Sequence, residues 1–156
     1  MAKYLLDTNA CIGIRNSFRD IKSKDAARQA AHDKLIAKWK AMPASELAMS
    51  FFTLGELLVW VEKHADQERA RALTDQLAQE VRVIGCPSCA EHGLPVQALA
   101  THYAAIRAGL EIAGEGIADN DLWIAAHGRA LAMTVVTNNT KHFGRVPDLQ
   151  VEDWTV

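Results

Sequence analysis

Strand-like runs and helical runs take turns along the 156-residue chain, and this alternation restricts the fold more than any other feature. Lys3–Asp7 (KYLLD), Glu46–Ser50 (ELAMS), Val81–Ile84 (VRVI), Thr134–Thr137 (TVVT) and Leu149–Trp154 read as short extended segments. The stretches between the first four place apolar residues three and four apart, which is helical spacing. Ala27, Ala31, Leu35 and Trp39 recur in a segment that Met42 and Pro43 close. A helix from Thr53 carries Leu54, Leu57, Leu58 and Val61, and Asp66 opens another with Ala70, Leu73 and Leu77. The clearest helix runs through Val96, Leu99, Tyr103, Ile106, Leu110 and Ala113 and ends near Gly114 and Gly116. Asp121 starts a further helix through Leu131, with Ile124, Ala125, Gly128 and Leu131 inward. Parallel neighbours need helical crossovers. The alternation therefore predicts an α/β, three-layer fold: a mostly parallel central sheet of four to five strands with helices on both faces. In such sheets ligands gather beyond the carboxyl ends of the strands, so the residues just after strands come first.

With 49% hydrophobic and 23% charged residues and no linker or low-complexity tract, residues 1–156 are expected to form one globular domain. No stretch has the length of a membrane span and no signal-peptide pattern is present, so the expected compartment is the cytoplasm. Three cysteines, an odd number, argue against a disulfide framework. A broad basic face normally brings a Lys and Arg excess, and the formal charge of −2 argues against one. A nucleic-acid partner must then be held by a local groove, a metal or a second subunit.

Asp7 follows the first strand, Glu56 lies in the first turn after the second, Asp121 opens a helix, and Asn139 follows TVVT. Carboxylates brought together raise one another's pKa unless a cation sits between them. Mg²⁺ or Mn²⁺ prefers oxygen ligands and keeps several waters, so such a cluster suits phosphodiester hydrolysis. Each residue also has a plainer use. Asp7-Thr8-Asn9 can be an Asx turn, Thr53 and Glu56 can form a capping box, Asp121 can be a helix-start acid, and Asn138-Asn139 can be a turn.

Four blocks, LLDTNACIG, SFFTLGELLVW, YAAIRAGLEIAGEGIADNDLWIAAHGRAL and TVVTNNTKHFGRVPDLQVEDW, resemble in order the successive motifs of the PIN-domain toxins of the VapC kind. The resemblance implies a PIN-like fold and an Mg²⁺- or Mn²⁺-dependent endoribonuclease acting on an RNA such as tRNA. It also implies silencing by a VapB-like antitoxin, a homodimer, and a larger hetero-oligomer with that antitoxin. The family's acidic quartet carries over to Asp7, Glu56, Asp121 and Asn139, the first three as metal ligands. Asn139 would orient water or metal without supplying charge, and Asp119 could lend the missing charge. Thr8 and Asn9 would fix the rotamer of Asp7 and meet substrate, with Asn138 a secondary candidate.

Arg107, in the block closest to the family, and Arg15 are candidate phosphate contacts, as are Lys141, His142 and Arg145; Arg19, Lys22 and Lys24 read as solvated charges. Cys86-Pro-Ser-Cys89 with His92 admits a redox pair or three zinc ligands, but no local fourth ligand follows. Leu54, Leu57, Leu58 and Trp60 exceed what one small sheet needs to bury, which points to a symmetric dimer. The rival functions are a silent PIN scaffold that only binds, a phosphotransferase using Asp7 as nucleophile, and a thiol redox protein. The segment from Ser17 to Met42 is more polar than the family leads one to expect, and specificity is expected there.

Overall fold

The computed structural model describes residues 2–19, 21–85 and 96–156. In chain order the elements are β1 (Tyr4–Leu6), α1 (Thr8–Ser17), α2 (Ala26–Ala41), β2 (Leu47–Ser50), α3 (Phe51–Lys63), α4 (Gln67–Glu80), β3 (Arg82–Ile84), α5 (Val96–Ile112), α6 (Asp119–Ala130), β4 (Thr134–Val136), α7 (Thr140–Phe143) and β5 (Val151–Glu152). The strands form one sheet in the order β3-β2-β1-β4-β5, and every neighbouring pair is parallel. The α/β, three-layer arrangement expected from the alternation is the one observed.

Successive strand residues face opposite ways, and the core divides accordingly. Leu5, Ala48 and Val135 face a cluster with Ile106, Leu110, Leu122, Ile124 and Phe143, contributed by α5, α6 and α7. Tyr4, Leu6, Met49 and Val136 face the other side, against Ile14, Leu35, Leu57 and Leu77 from α1 to α4. Cys11 is a buried core residue. Among the described residues no helix is long and apolar enough to cross a membrane.

Several element starts differ from the sequence reading. Residues 8–17 coil straight off β1 as α1 because Asp7 caps it: Asp7 Oδ1 accepts from the Ala10 amide at 2.7 Å. α3 begins at Phe51, not Thr53, since Ser50 Oγ accepts from the Phe52 amide at 3.2 Å. α6 starts at Asp119, which puts Asn120 and Asp121 together in its first turn. α7 follows directly on Asn138-Asn139, and the sequence reading assigned no element to it. The apolar residues assigned to a dimer are covered inside the chain only in part, Leu58 and Trp60 staying half-buried. Leu57 is buried, Leu54 packs on the same core, and the guanidinium of Arg15 lies over Trp60 at 3.8 Å.

Gly128 lets α6 settle onto the sheet: a Cβ there would lie 2.7 Å from Val135 Cγ2 and 3.1 Å from Leu149 Cδ1. Overpacking a stiff β-branched neighbour outweighs the helix propensity gained by alanine. Gly128→Ala should lose about 1–2 kcal/mol of stability, read as a lowered urea midpoint at unchanged slope; a raised midpoint would show that the sheet yields.

Candidate active site

From β1 the chain steps to β2 and β3 on one side, then crosses to β4 and β5 on the other. The crevice outside the strand ends at such a switch point is where open α/β sheets hold ligands. Leu6 pairs with Val136, so Asp7 and Thr137 leave the sheet side by side. Asp7 is buried at 3% exposure; its Oδ2 accepts from Thr137 Oγ1 at 2.5 Å, while that hydroxyl accepts from the Asn139 amide at 2.9 Å. Burial pushes the Asp7 carboxyl up to about 6. The bonds from Thr137 and Ala10 pull it down, and the charges of Asp121 and Glu56 push it up again.

Thr137 escaped the sequence reading, because only the β1–β4 pairing puts it beside Asp7. Thr137→Val would strip a buried carboxylate of a donor and the Asn139 amide of its acceptor. A loss of about 1–3 kcal/mol is expected in urea unfolding at pH 7.5; an unchanged midpoint would mean that water takes over both bonds.

Glu56 does not form the capping box that Thr53 offered, since Ser50 caps α3. Its carboxylate instead turns to the strand ends: Thr8 Oγ1 donates to Oε2, and Asn120 Nδ2 donates to Oε1 at 2.7 Å. Asn120 was not singled out in the sequence, where nothing marks a partner 64 residues away. Asp121 is partly buried, and its carboxyl is raised by burial and by Glu56, with His142 acting in the opposite sense. His142 Nδ1 lies 2.8 Å from Asn139 Nδ2 and 3.4 Å from Asp121 Oδ2. Nδ1 accepts from the amide when it is bare and donates to Asp121 when it carries a hydrogen. The Asn139 side chain thus reaches Asp121 through His142, while its backbone amide reaches Asp7 through Thr137.

Other candidates fall elsewhere. Thr8 holds Glu56 and Asn9 donates to Asn138 Oδ1 at 3.4 Å, so neither fixes the rotamer of Asp7. Arg107 is bound by Glu111 at 2.8 Å, the Tyr103 hydroxyl at 2.8 Å and Asp119 at 3.3 Å, and these contacts raise its pKa. Asp119 therefore faces a guanidinium and does not lend its charge to the cluster. Arg15, 3% exposed, packs on Trp60 and is not open to a phosphate. Arg145 donates to the Glu115 carbonyl at 3.2 Å, and Lys141 is exposed. Cys86, Cys89 and His92 lie outside the described residues.

Asp7, Glu56 and Asp121 offer oxygen alone, the donor chemistry of hard dications. Asp7 is raised by the charges of both other acids, and Asp121 by that of Glu56, a repulsion that a cation relieves. Among the described residues no three His, Cys, Asp or Glu side chains close around an ion by themselves. The set fits an ion that retains several waters, as Mg²⁺ does, better than one caged by protein.

A parallel sheet with acids gathered at its switch point is matched by the PIN domain model over residues 4–149. The chain belongs to the PIN-domain family and, within it, to the VapC ribonucleases. It is 32% identical to the tRNA(fMet)-specific endonuclease VapC of Shigella flexneri, over 99% of this chain and 100% of that protein. It is 29% identical to ribonuclease VapC1 of Haemophilus influenzae strain R2866, over 97% and 98%. Among solved structures, the DNA-bound VapBC of Salmonella typhimurium superposes with a TM-score of 0.76 at 28% identity, over 99% of each chain.

Proposed function

We propose that this chain is the ribonuclease toxin of a toxin–antitoxin pair, a metal-dependent endoribonuclease that hydrolyses RNA phosphodiester bonds in the cytoplasm. The observation that carries it is the trio Asp7, Glu56 and Asp121 at the carboxyl ends of the strands, where burial raises the carboxyls of Asp7 and Asp121 and the neighbouring acid charges add to the rise. These three would hold Mg²⁺ or Mn²⁺. A bound dication makes a coordinated water more acidic and offsets charge on the leaving oxygen. The chain's part is orientation: Ala10 and Thr137 fix Asp7, while Thr8 and Asn120 hold Glu56. A structured RNA such as tRNA is the proposed substrate, the class named for the Shigella relative. The likeness to a solved VapBC complex supports a VapB-like antitoxin as partner. A homodimer, and a larger hetero-oligomer with antitoxin, belong to the same proposal.

Two observations favour a PIN scaffold that binds without cutting: Glu56 is turned to Thr8 and Asn120, and Asn139 stands where a fourth acid would add charge. Total RNA incubated with wild type or Asp7→Ala, each in Mn²⁺ and in EDTA, separates the two. Discrete cuts from wild type with metal alone, mapped by sequencing the ends, are expected. The absence of any metal-dependent cut would favour the scaffold.

A further inference from the structure

The segment from Ser17 to Met42 contributes nothing to the acid cluster, yet it holds seven Lys and Arg against three Asp on a chain of net charge −2. Most of it is α2, which packs on α1 through Leu35. A cavity of about 320 Å³ lies between α1, α2 and the ends of β4 and β5, within the range of small-ligand pockets. Ala10, Ala31, Leu35, Val136 and Trp154 give it apolar walls. Its polar lining includes Asn9 and Asn138, whose amides meet at a long 3.4 Å, and His32, tied to the Gly13 carbonyl at 3.0 Å. Arg28 also lines it, with a side chain 83% exposed. Thr137, which holds the Asp7 carboxylate, lines it too, so the cavity and the acid share a wall.

We infer that this cavity is a nucleobase subsite, an inference that rests on the ribonuclease reading. It takes one unpaired base of the RNA beside the phosphate at Asp7, with Arg28 on a neighbouring phosphate. Proteins that read single-stranded RNA splay a base out of its stack and bind its edge with polar side chains. The amides of Asn9 and Asn138 pair donors and acceptors with a base edge once their own weak bond opens. The apolar walls cover the faces of the ring. Arg28, at the mouth of an otherwise uncharged lining apart from His32, favours an anionic chain such as RNA as occupant.

Ala31→Phe fills the cavity from α2, and Arg28→Glu reverses an exposed charge whose ion pair with Asp25, at 3.8 Å, lies at the surface, where such pairs add little stability. The affinity of a fluorescently labelled single-stranded RNA is measured in EDTA, where nothing is cut, and cut ends are then sequenced in Mn²⁺. Both variants are expected to bind about tenfold more weakly. Ala31→Phe should also relax the base preference next to the cut. Wild-type affinity in both variants, or an unchanged preference in Ala31→Phe, overturns the subsite. So does a loss of antitoxin binding with RNA affinity intact, which would make the cavity a protein-binding site. If wild type binds RNA but does not cut it, the ribonuclease reading fails and the binding measurement alone decides the subsite. Should Ala31→Phe not fold, Arg28→Glu carries the test.

Discussion

Asp7→Asn is expected to reduce metal-dependent RNA cleavage by more than about a hundredfold while leaving the protein folded. In metal-free buffer at pH 7.5 it should also raise the melting temperature, by about 5 °C. The two effects have one cause. The carboxylate is buried and repelled by Asp121 and Glu56, so it destabilises the metal-free protein, and a cation would relieve the same charge. Asparagine keeps the shape: its Oδ1 still accepts from Ala10, and it caps helices as well as aspartate does. Its amide can donate to Thr137 Oγ1, reversing the bond seen now. If Asp7 were only the cap of α1, the substitution would leave both cleavage and stability near wild type. Unaltered cleavage in saturating Mn²⁺ would remove Asp7 from the metal site.

The residues legible in the sequence were those whose signals are local. Asp7 stood out because an apolar run stops at it, and Asp121 because it opens a periodic helix. The long helix through Val96 and Leu110 declared itself over five turns and ends where Gly114, at φ +69°, turns the chain. α1 did not, since its buried face is short and polar residues fill the rest. Glu56 was seen with two uses, and the choice between them lay in Thr8 and Asn120, far away in sequence. Thr137 needed the β1–β4 register. Arg15 looked like a phosphate ligand because nothing local shows Trp60 across α3. What sequence spacing hides is which chain segments become neighbours; that information lives in the sheet order.

The same geometry predicts how metal-free stability responds to pH, through two buried groups of opposite sign. His127 is fully buried, with Nδ1 2.9 Å from Ser50 Oγ and Nε2 without a partner among the described residues. Burial holds its pKa down to about 4, while Asp7 is pushed up to about 6. Unfolded, the two titrate near 6.5 and 3.9. Between pH 4 and 6 native Asp7 carries a proton that its unfolded form lacks, so its contribution falls as pH rises. Asp121, raised by burial, acts in the same direction. Over much the same range unfolded His127 carries a proton that its native form lacks, so its contribution rises. Each limb amounts to roughly 3 kcal/mol, and they oppose. Wild type in EDTA should therefore show a shallow curve of urea midpoint against pH from 4 to 6.5. Asp7→Asn removes most of the falling limb and should leave stability climbing across that window. Mn²⁺ added to wild type should act likewise, because a bound cation favours ionised Asp7. His127→Gln, which cannot titrate, should give the reverse, a protein that weakens as pH rises from 4 to 6. A curve for Asp7→Asn as flat as that of wild type would mean that the two groups do not offset each other, and that Asp7 ionises in the native protein as it does in water.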